Sequence, residues 1–175
     1  MKYYWLVMSL VLFIAGCASQ NVKEVNKMKL TSTAFENEGD IPNKYTCQGE
    51  DISPELMISD VPSNVKSFVL IMDDPDAIKP VGRVWDHWVV FNIPADVKEI
   101  KEGKEPNGIK GMTSFGKLGY GGPCPPDTKH RYYFRVYALD VMLELNEGAT
   151  KDKVLDAIEG HVLAQAELMG RYEKI

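Results

Sequence analysis

Residues Gly119 to Tyr132 read G-Y-G-G-P-C-P-P-D-T-K-H-R-Y, and no regular element can hold them. The prolines fix φ and lack an N–H donor, while the glycines let the backbone pass close to whatever it meets. A rigid surface loop with exposed main chain is the expectation. The next segment, Tyr133 to Leu139, alternates and is rich in aromatic and β-branched residues, which predicts a strand. A stiff loop that delivers His130 and Tyr132 to the start of a strand holds polar groups at the rim of a pocket. The plain alternative is a tight connection with a satisfied histidine.

Upstream, Lys66 to Met72 (K-S-F-V-L-I-M) is an apolar run of strand length and is expected to be buried. It ends in Asp73-Asp74-Pro75-Asp76-Ala77. Three carboxylates at the end of a buried strand are costly unless paired or wet, although Asp-Pro-Asp is also an ordinary turn former. Trp85-Asp86-His87-Trp88-Val89-Val90-Phe91-Asn92-Ile93 reads as another strand. A histidine flanked by tryptophans is more often a satisfied core residue than a ligand. The chain has three histidines, however, and two of them, His87 and His130, begin strands just after loops. That coincidence points to a shared site.

Working outward, Met28 to Phe35 is a first strand, Glu36 to Pro42 a turn region, Tyr45 to Pro54 a loop, and Leu56 to Ile58 a short strand. Pro94 to Lys110 is charged and turn-rich, an exposed connection. Thr150 is a fitting N-cap for a helix carrying Val154, Leu155 and Ile158 on one face. After Gly160, Val162 to Met169 is rich in good helix formers and predicts a second helix, opened by His161 and ended by Gly170. The organisation is mainly β with C-terminal helices. Gly111 to Leu118 nearly matches a phosphate-binding loop. It has Leu118 where Mg²⁺ needs a hydroxyl, and Gly-Tyr-Gly-Gly-Pro follows where a helix must begin.

The chain has 175 residues, net charge −5 and 45% hydrophobic content. That suffices for one domain with a real core. The acidic balance and the lack of a basic cluster exclude non-specific nucleic-acid binding. Lys2 followed by an apolar Tyr3 to Ala15 is too short to span a bilayer. Its end, Ile14-Ala15-Gly16-Cys17, resembles a bacterial lipoprotein signal. The reading is a signal peptide over residues 1–16, an acylated Cys17, a polar tether over 17–27 and a domain over 28–175. Ala18 follows Cys17 in place of an aspartate, which favours the outer membrane, facing the periplasm. Cys47 and Cys124 remain as a candidate pair. An oxidising compartment favours the bond; the other reading keeps Cys124 a free thiol lining the pocket.

Together, Asp74-Pro75-Asp76-Ala77, Trp85-Asp86-His87-Trp88, Gly121-Gly122-Pro123-Cys124-Pro125-Pro126 and His130-Arg131-Tyr132 resemble the phosphatidylethanolamine-binding (Raf kinase inhibitor-like) proteins. The likeness is to their bacterial and archaeal branch, which also shows Tyr45-Thr46-Cys47-Gln48-Gly49 and Ser53-Pro54, and it runs from about Met28 to Tyr172. It implies two packed antiparallel sheets, a β-sandwich with a small pocket at one end. It also implies ligands such as phosphate, acetate or phospholipid head groups. The pocket residues it carries over are Asp74, Trp85, His87, Gly122, Cys124, His130 and Tyr132, with Asp76 beside them. Two departures flank the pocket: Ile78 stands where a proline is common, and Asp127-Thr128-Lys129 where a glycine is usual. The expectation is a lipid-anchored, non-enzymatic anion-binding protein without cofactor or metal. Charged histidines and the N–H groups of Gly122 and Cys124 would serve as donors, with the Tyr132 hydroxyl. The competing readings are an inhibitor or regulator of a protein partner such as a protease, and, less favoured, a metal enzyme using His87, His130 and Asp74.

Overall fold

The computed structural model describes residues 28–174; the signal-peptide and tether readings, Cys17 included, lie outside the described residues. Two antiparallel sheets face each other. One holds β1 (Lys29–Thr31), β2 (Leu56–Ser59) and β5 (Glu99–Ile100) in the order β1-β2-β5. The other holds β3 (Ser67–Asp74), β4 (Trp85–Pro94), β6 (Ile109–Lys110), β7 (His130–Leu139) and β8 (Val162–Tyr172) in the order β6-β4-β3-β7-β8. The expected β-sandwich is therefore observed.

The central strand β3 of the larger sheet is buried on both faces, which explains its unbroken apolar run. Phe68, Leu70 and Met72 turn inward with Phe134, Val136, Ala164 and Leu168, onto the core shared with the small sheet. Val69 and Ile71 turn outward with Val89, Phe91, Leu139, Val154 and Ile158, under helix α2 (Lys151–Ile158). Thr150 caps α2 as expected, its hydroxyl accepting from the Lys153 N–H at 3.5 Å.

The second C-terminal helix is not there. Val162 to Tyr172 is a strand, β8, paired with β7 along its whole length, from Leu139↔Val162 to His130↔Tyr172. Helix-forming composition yields to a two-residue alternation: Ala164, Ala166 and Leu168 are buried, while Gln165 and Glu167 face solvent. Gly170 does not end a helix. A Cβ there would lie 2.4 Å from Ile41 and 2.8 Å from Phe35, so the strand needs glycine to let that loop close over it. The segment read as an exposed connection, residues 94–110, supplies β5 and β6.

Irregularities in the β3–β4 ladder set the position of the site. Met72 pairs Trp88, but Asp73 pairs Asp86, so His87 is the extra residue of a bulge. Strict alternation would send His87 outward with Val89. The bulge turns it inward instead, where its ring meets Tyr132 at 5.2 Å and Phe115 at 5.3 Å.

Candidate functional site

Asp73 and Asp74, adjacent on a strand, leave it on opposite faces. Asp73 pairs on the outer face with Arg135 at 2.7 Å and with the buried Lys151 at 3.1 Å. Lys151 also forms an ion pair with Asp86. Asp74 turns to the end of the inner core. Its Oδ1 accepts from the N–H groups of Asp76 (2.9 Å) and Ala77 (3.2 Å), capping the short 3₁₀ turn Pro75–Ala77. Its Oδ2 accepts from His130 Nδ1 at 2.7 Å. All three carboxylates of the run are thus partnered, because Asp76 takes a two-pronged grip from Arg131 at 2.6 and 2.9 Å.

His130 is held between two acids. Nδ1 donates to Asp74 and Nε2 donates to Asp127 Oδ1 at 2.8 Å. With both carboxylates ionised, both bonds need N–H on both nitrogens, which only the imidazolium provides. Burial works against that charge, but the two carboxylates outweigh it and raise the His130 pKa above its ordinary value. On Asp74 the balance reverses: burial pushes its pKa up, against the His130 hydrogen bond. The Arg131 guanidinium holds Asp76 below the usual carboxylate range.

His87 is a different histidine. It is 2% exposed, and burial lowers its pKa to about 4, against the opposing pull of the Gly121 carbonyl. Nδ1 lies 2.7 Å from that carbonyl and must donate to it. In the neutral ring Nε2 is then an acceptor, not a donor.

The glycine–proline loop is fixed against the Tyr45–Asp51 loop. Tyr120 Oη donates to the Tyr45 carbonyl (2.7 Å), Cys47 N–H to the Pro123 carbonyl (3.1 Å) and Gly122 N–H to Asp51 Oδ1 (2.7 Å). A disulfide joins Cys47 to Cys124, Cα to Cα 5.5 Å. Gly122 is required here, since a Cβ would sit 2.4 Å from the Tyr45 carbonyl oxygen.

These parts enclose a cavity of about 260 Å³ lined by Asp74, Ala77, Val81, Trp85, His87, Phe115, Cys124 and Pro126. Asp74, Trp85, His87 and Cys124 meet there as expected. The other four expected residues do not line it. Asp76 and His130 open instead onto a neighbouring charged hollow with Lys79, Lys129 and Arg131. The Gly122 N–H is committed to Asp51, so it is not an oxyanion donor. Tyr132 is fully buried behind His87, and its hydroxyl has no hydrogen-bond partner among the described residues. Burial first, then the Asp74 charge, keep that hydroxyl protonated; the Cys124 amide opposes them without reaching hydrogen-bond geometry. Both His130 nitrogens are taken, so the two-histidine, one-carboxylate metal set is not assembled.

Three contributors had no signal in the sequence. Phe115 packs edge-on to Trp85 at 5.5 Å as a cavity wall. Asp127 holds His130 from the far side. Glu105, inside the supposed connection, accepts from Trp88 Nε1 at 2.8 Å and from Tyr120 N–H at 3.0 Å.

The architecture has counterparts among known proteins. The family model described as phosphatidylethanolamine-binding protein matches residues 31–173. A UPF0098 protein of Chlamydia trachomatis is 51% identical over 149 residues, 84% of this chain and 99% of the relative. An archaeal UPF0098 protein, from Methanothermobacter thermautotrophicus, is 50% identical over 153 residues with the same shares covered. The crystal structure of a putative phosphatidylethanolamine-binding protein homolog from Chlamydia trachomatis superposes with a TM-score of 0.81 at 50% identity, over 86% of this chain and 99% of that one. Escherichia coli YbcL, described as a new member of the mammalian PEBP family, gives 0.78 at 32% identity, over 85% and 99%.

Proposed function

The chain belongs to the phosphatidylethanolamine-binding protein family, and on that premise we propose that the cavity between Asp74 and His87 binds small oxyacids, phosphate-type or phospholipid head-group ligands, together with a proton. One observation carries this reading: the two titratable side chains lining the cavity, Asp74 as a carboxylate and His87 as a neutral ring, both present acceptors. A fully ionised oxyanion would meet a carboxylate and a lone pair. The same group with one O–H donates to either of them. Where the ligand has no proton to give, Asp74 or His87 must take one up. Among the residues expected from the sequence to supply donors, Cys124 lines the cavity.

The role is binding rather than catalysis, because the Cys124 sulfur is committed to the disulfide and no other nucleophile of the cavity is paired with a base. The rest of the assignment follows the N-terminal sequence: Cys17 acylated, and the domain held at the periplasmic face of the outer membrane. Palmitate labelling that is lost in Cys17→Ser supports the anchor; an unlabelled wild-type protein sinks it.

Calorimetric titration with a phosphomonoester and a phosphodiester, from pH 5 to 8 in two buffers of different ionisation enthalpy, tests the cavity. Binding takes up protons when the ligand lacks one, so affinity for both ligands falls as pH rises. The monoester holds its affinity until it loses its own second proton near pH ~6; the diester weakens throughout, because only the protein can supply the proton. Affinity that is flat or rising with pH, or no proton uptake, overturns the reading.

A further inference from the structure

We infer that the rim of this cavity is a membrane-docking surface, which sets the opening against a phospholipid bilayer with anionic lipids. Seven large hydrophobic residues among those described are markedly exposed, and four of them are at this one end: Ile78 (53%), Val81 (45%), Phe115 (40%) and Leu118 (37%). Ile78 and Val81 bound the short helix α1 (Ile78–Val81), three residues apart and so on one face. Phe115 and Leu118 belong to the loop opposite. Val81 and Phe115 themselves line the cavity, so the apolar group is a ring around an opening rather than a flat patch.

Cations are interleaved with this ring. The Arg83 guanidinium lies 5.0 Å from the centre of the Trp85 ring, and the Lys117 ammonium 5.4 Å from that of Phe115. Lys79 sits between Ile78 and Val81. Neither segment, 78–84 or 111–119, contains an acidic residue, in a chain with 25 of them and a net charge of −5. Local positive charge on an acidic protein is complementary to an anionic surface. Apolar tips with aromatic rings at their base and Lys and Arg among them match the bilayer interface, where acyl chains, head groups and phosphates follow one another over a few ångströms.

The tether length agrees. Cys17 to Lys27 spans at most ~40 Å when extended, which lets an anchored domain turn this end onto the membrane. The inference rests on the head-group reading of the cavity for what enters the opening, but the docking is made by residues outside it. Ile78, Lys79, Lys117 and Leu118 do not line the cavity.

The test uses the domain of residues 28–175, so that no acyl chain contributes. It corresponds to nearly the full length of the Chlamydia relative, which folds as solved. Flotation is measured with vesicles of phosphatidylethanolamine and phosphatidylglycerol (3:1) and with vesicles of phosphatidylcholine alone. Wild type partitions into the anionic vesicles and much less into the neutral ones. Each cation near the surface is worth about fivefold in partitioning, so Lys79→Glu with Lys117→Glu loses more than tenfold. Ile78→Glu with Leu118→Glu loses a comparable amount. Both double variants bind inorganic phosphate in solution as wild type does. Wild type that does not float with anionic vesicles, or double variants that float as well as wild type, overturn the docking surface, whatever phosphate does. Wild type that floats in the stated pattern without binding phosphate sustains the docking and removes the cavity reading.

Discussion

Breaking the Cys47–Cys124 bond with the paired substitution Cys47→Ser and Cys124→Ser is expected to cost the domain stability without changing its native geometry. The bond spans 77 residues. Closing a loop of that length removes chain entropy from the unfolded state worth roughly 4.5 kcal/mol at 25 °C. In the folded state the two loops stay in register without the bond. The Tyr120 hydroxyl, the Cys47 N–H and the Gly122 N–H each donate across the same contact. Most of the loss therefore arises from the freedom regained by the unfolded chain. With a urea slope of ~2 kcal/mol per M, the unfolding midpoint moves down by about 2 M. Equilibrium urea unfolding of oxidised wild type and the double variant measures this, and thiol counting under denaturing conditions verifies the starting state. Coincident midpoints, or two free thiols in protein matured in the periplasm, refute the argument.

The paired imidazolium of His130 makes stability fall on the alkaline side. Its folded pKa is raised, so its contribution is fully present below the unfolded value of ~6.5 and is lost as pH rises through the folded value. Urea midpoints from pH 6 to 9 decline in wild type; in His130→Gln this decline disappears, and an unchanged slope contradicts the assignment. Lys151→Ala leaves Asp73 and Asp86 facing each other without their shared cation. Removing one partner of a buried ion cluster costs about 3–5 kcal/mol, and part of this returns in acid, where the carboxylates are protonated. Thermal unfolding should separate Lys151→Ala clearly from the exposed Lys153→Ala; equal losses count against a buried network.

The strands were legible because burial on two faces and burial on one face leave different traces. The run Phe68 to Met72 is continuous, whereas Tyr132 to Ala138 alternates strictly. β8 was misread because Leu, Ala, Gln and Glu favour helices intrinsically, and its period-two burial is weakly marked when the inward residues are alanines. The acid run and the two histidines pointed to one end of the sandwich, where Asp74 and His87 line one cavity. Their division of labour was not legible. Whether a histidine is neutral or charged depends on what faces each nitrogen, and Asp127, three residues from His130, gave no sign of closing on it. The Cys47–Cys124 pair was open for a similar reason: 77 residues of sequence separation say nothing about distance. Phe115 and Glu105 lie in stretches without periodicity, so only tertiary packing shows their roles.

The bulge at His87 has an evolutionary corollary. From Trp88 onward β4 pairs with β3 in one phase, and from Asp86 backward in another. One residue of chain length separates the two. Deleting a single residue between Asp86 and Trp88 would restore plain alternation and leave the pairs Met72↔Trp88, Ile71↔Val89 and Leu70↔Val90 untouched. Asp86 and Trp85 would keep their pairs with Asp73 and Asp74, so the deletion would remove only the His87 ring from the cavity wall. The ladder of the sandwich and the His87 wall of the cavity are thus separable by one residue of chain length. A single in-frame codon deletion can therefore remove this cavity wall while keeping the ladder of the sandwich.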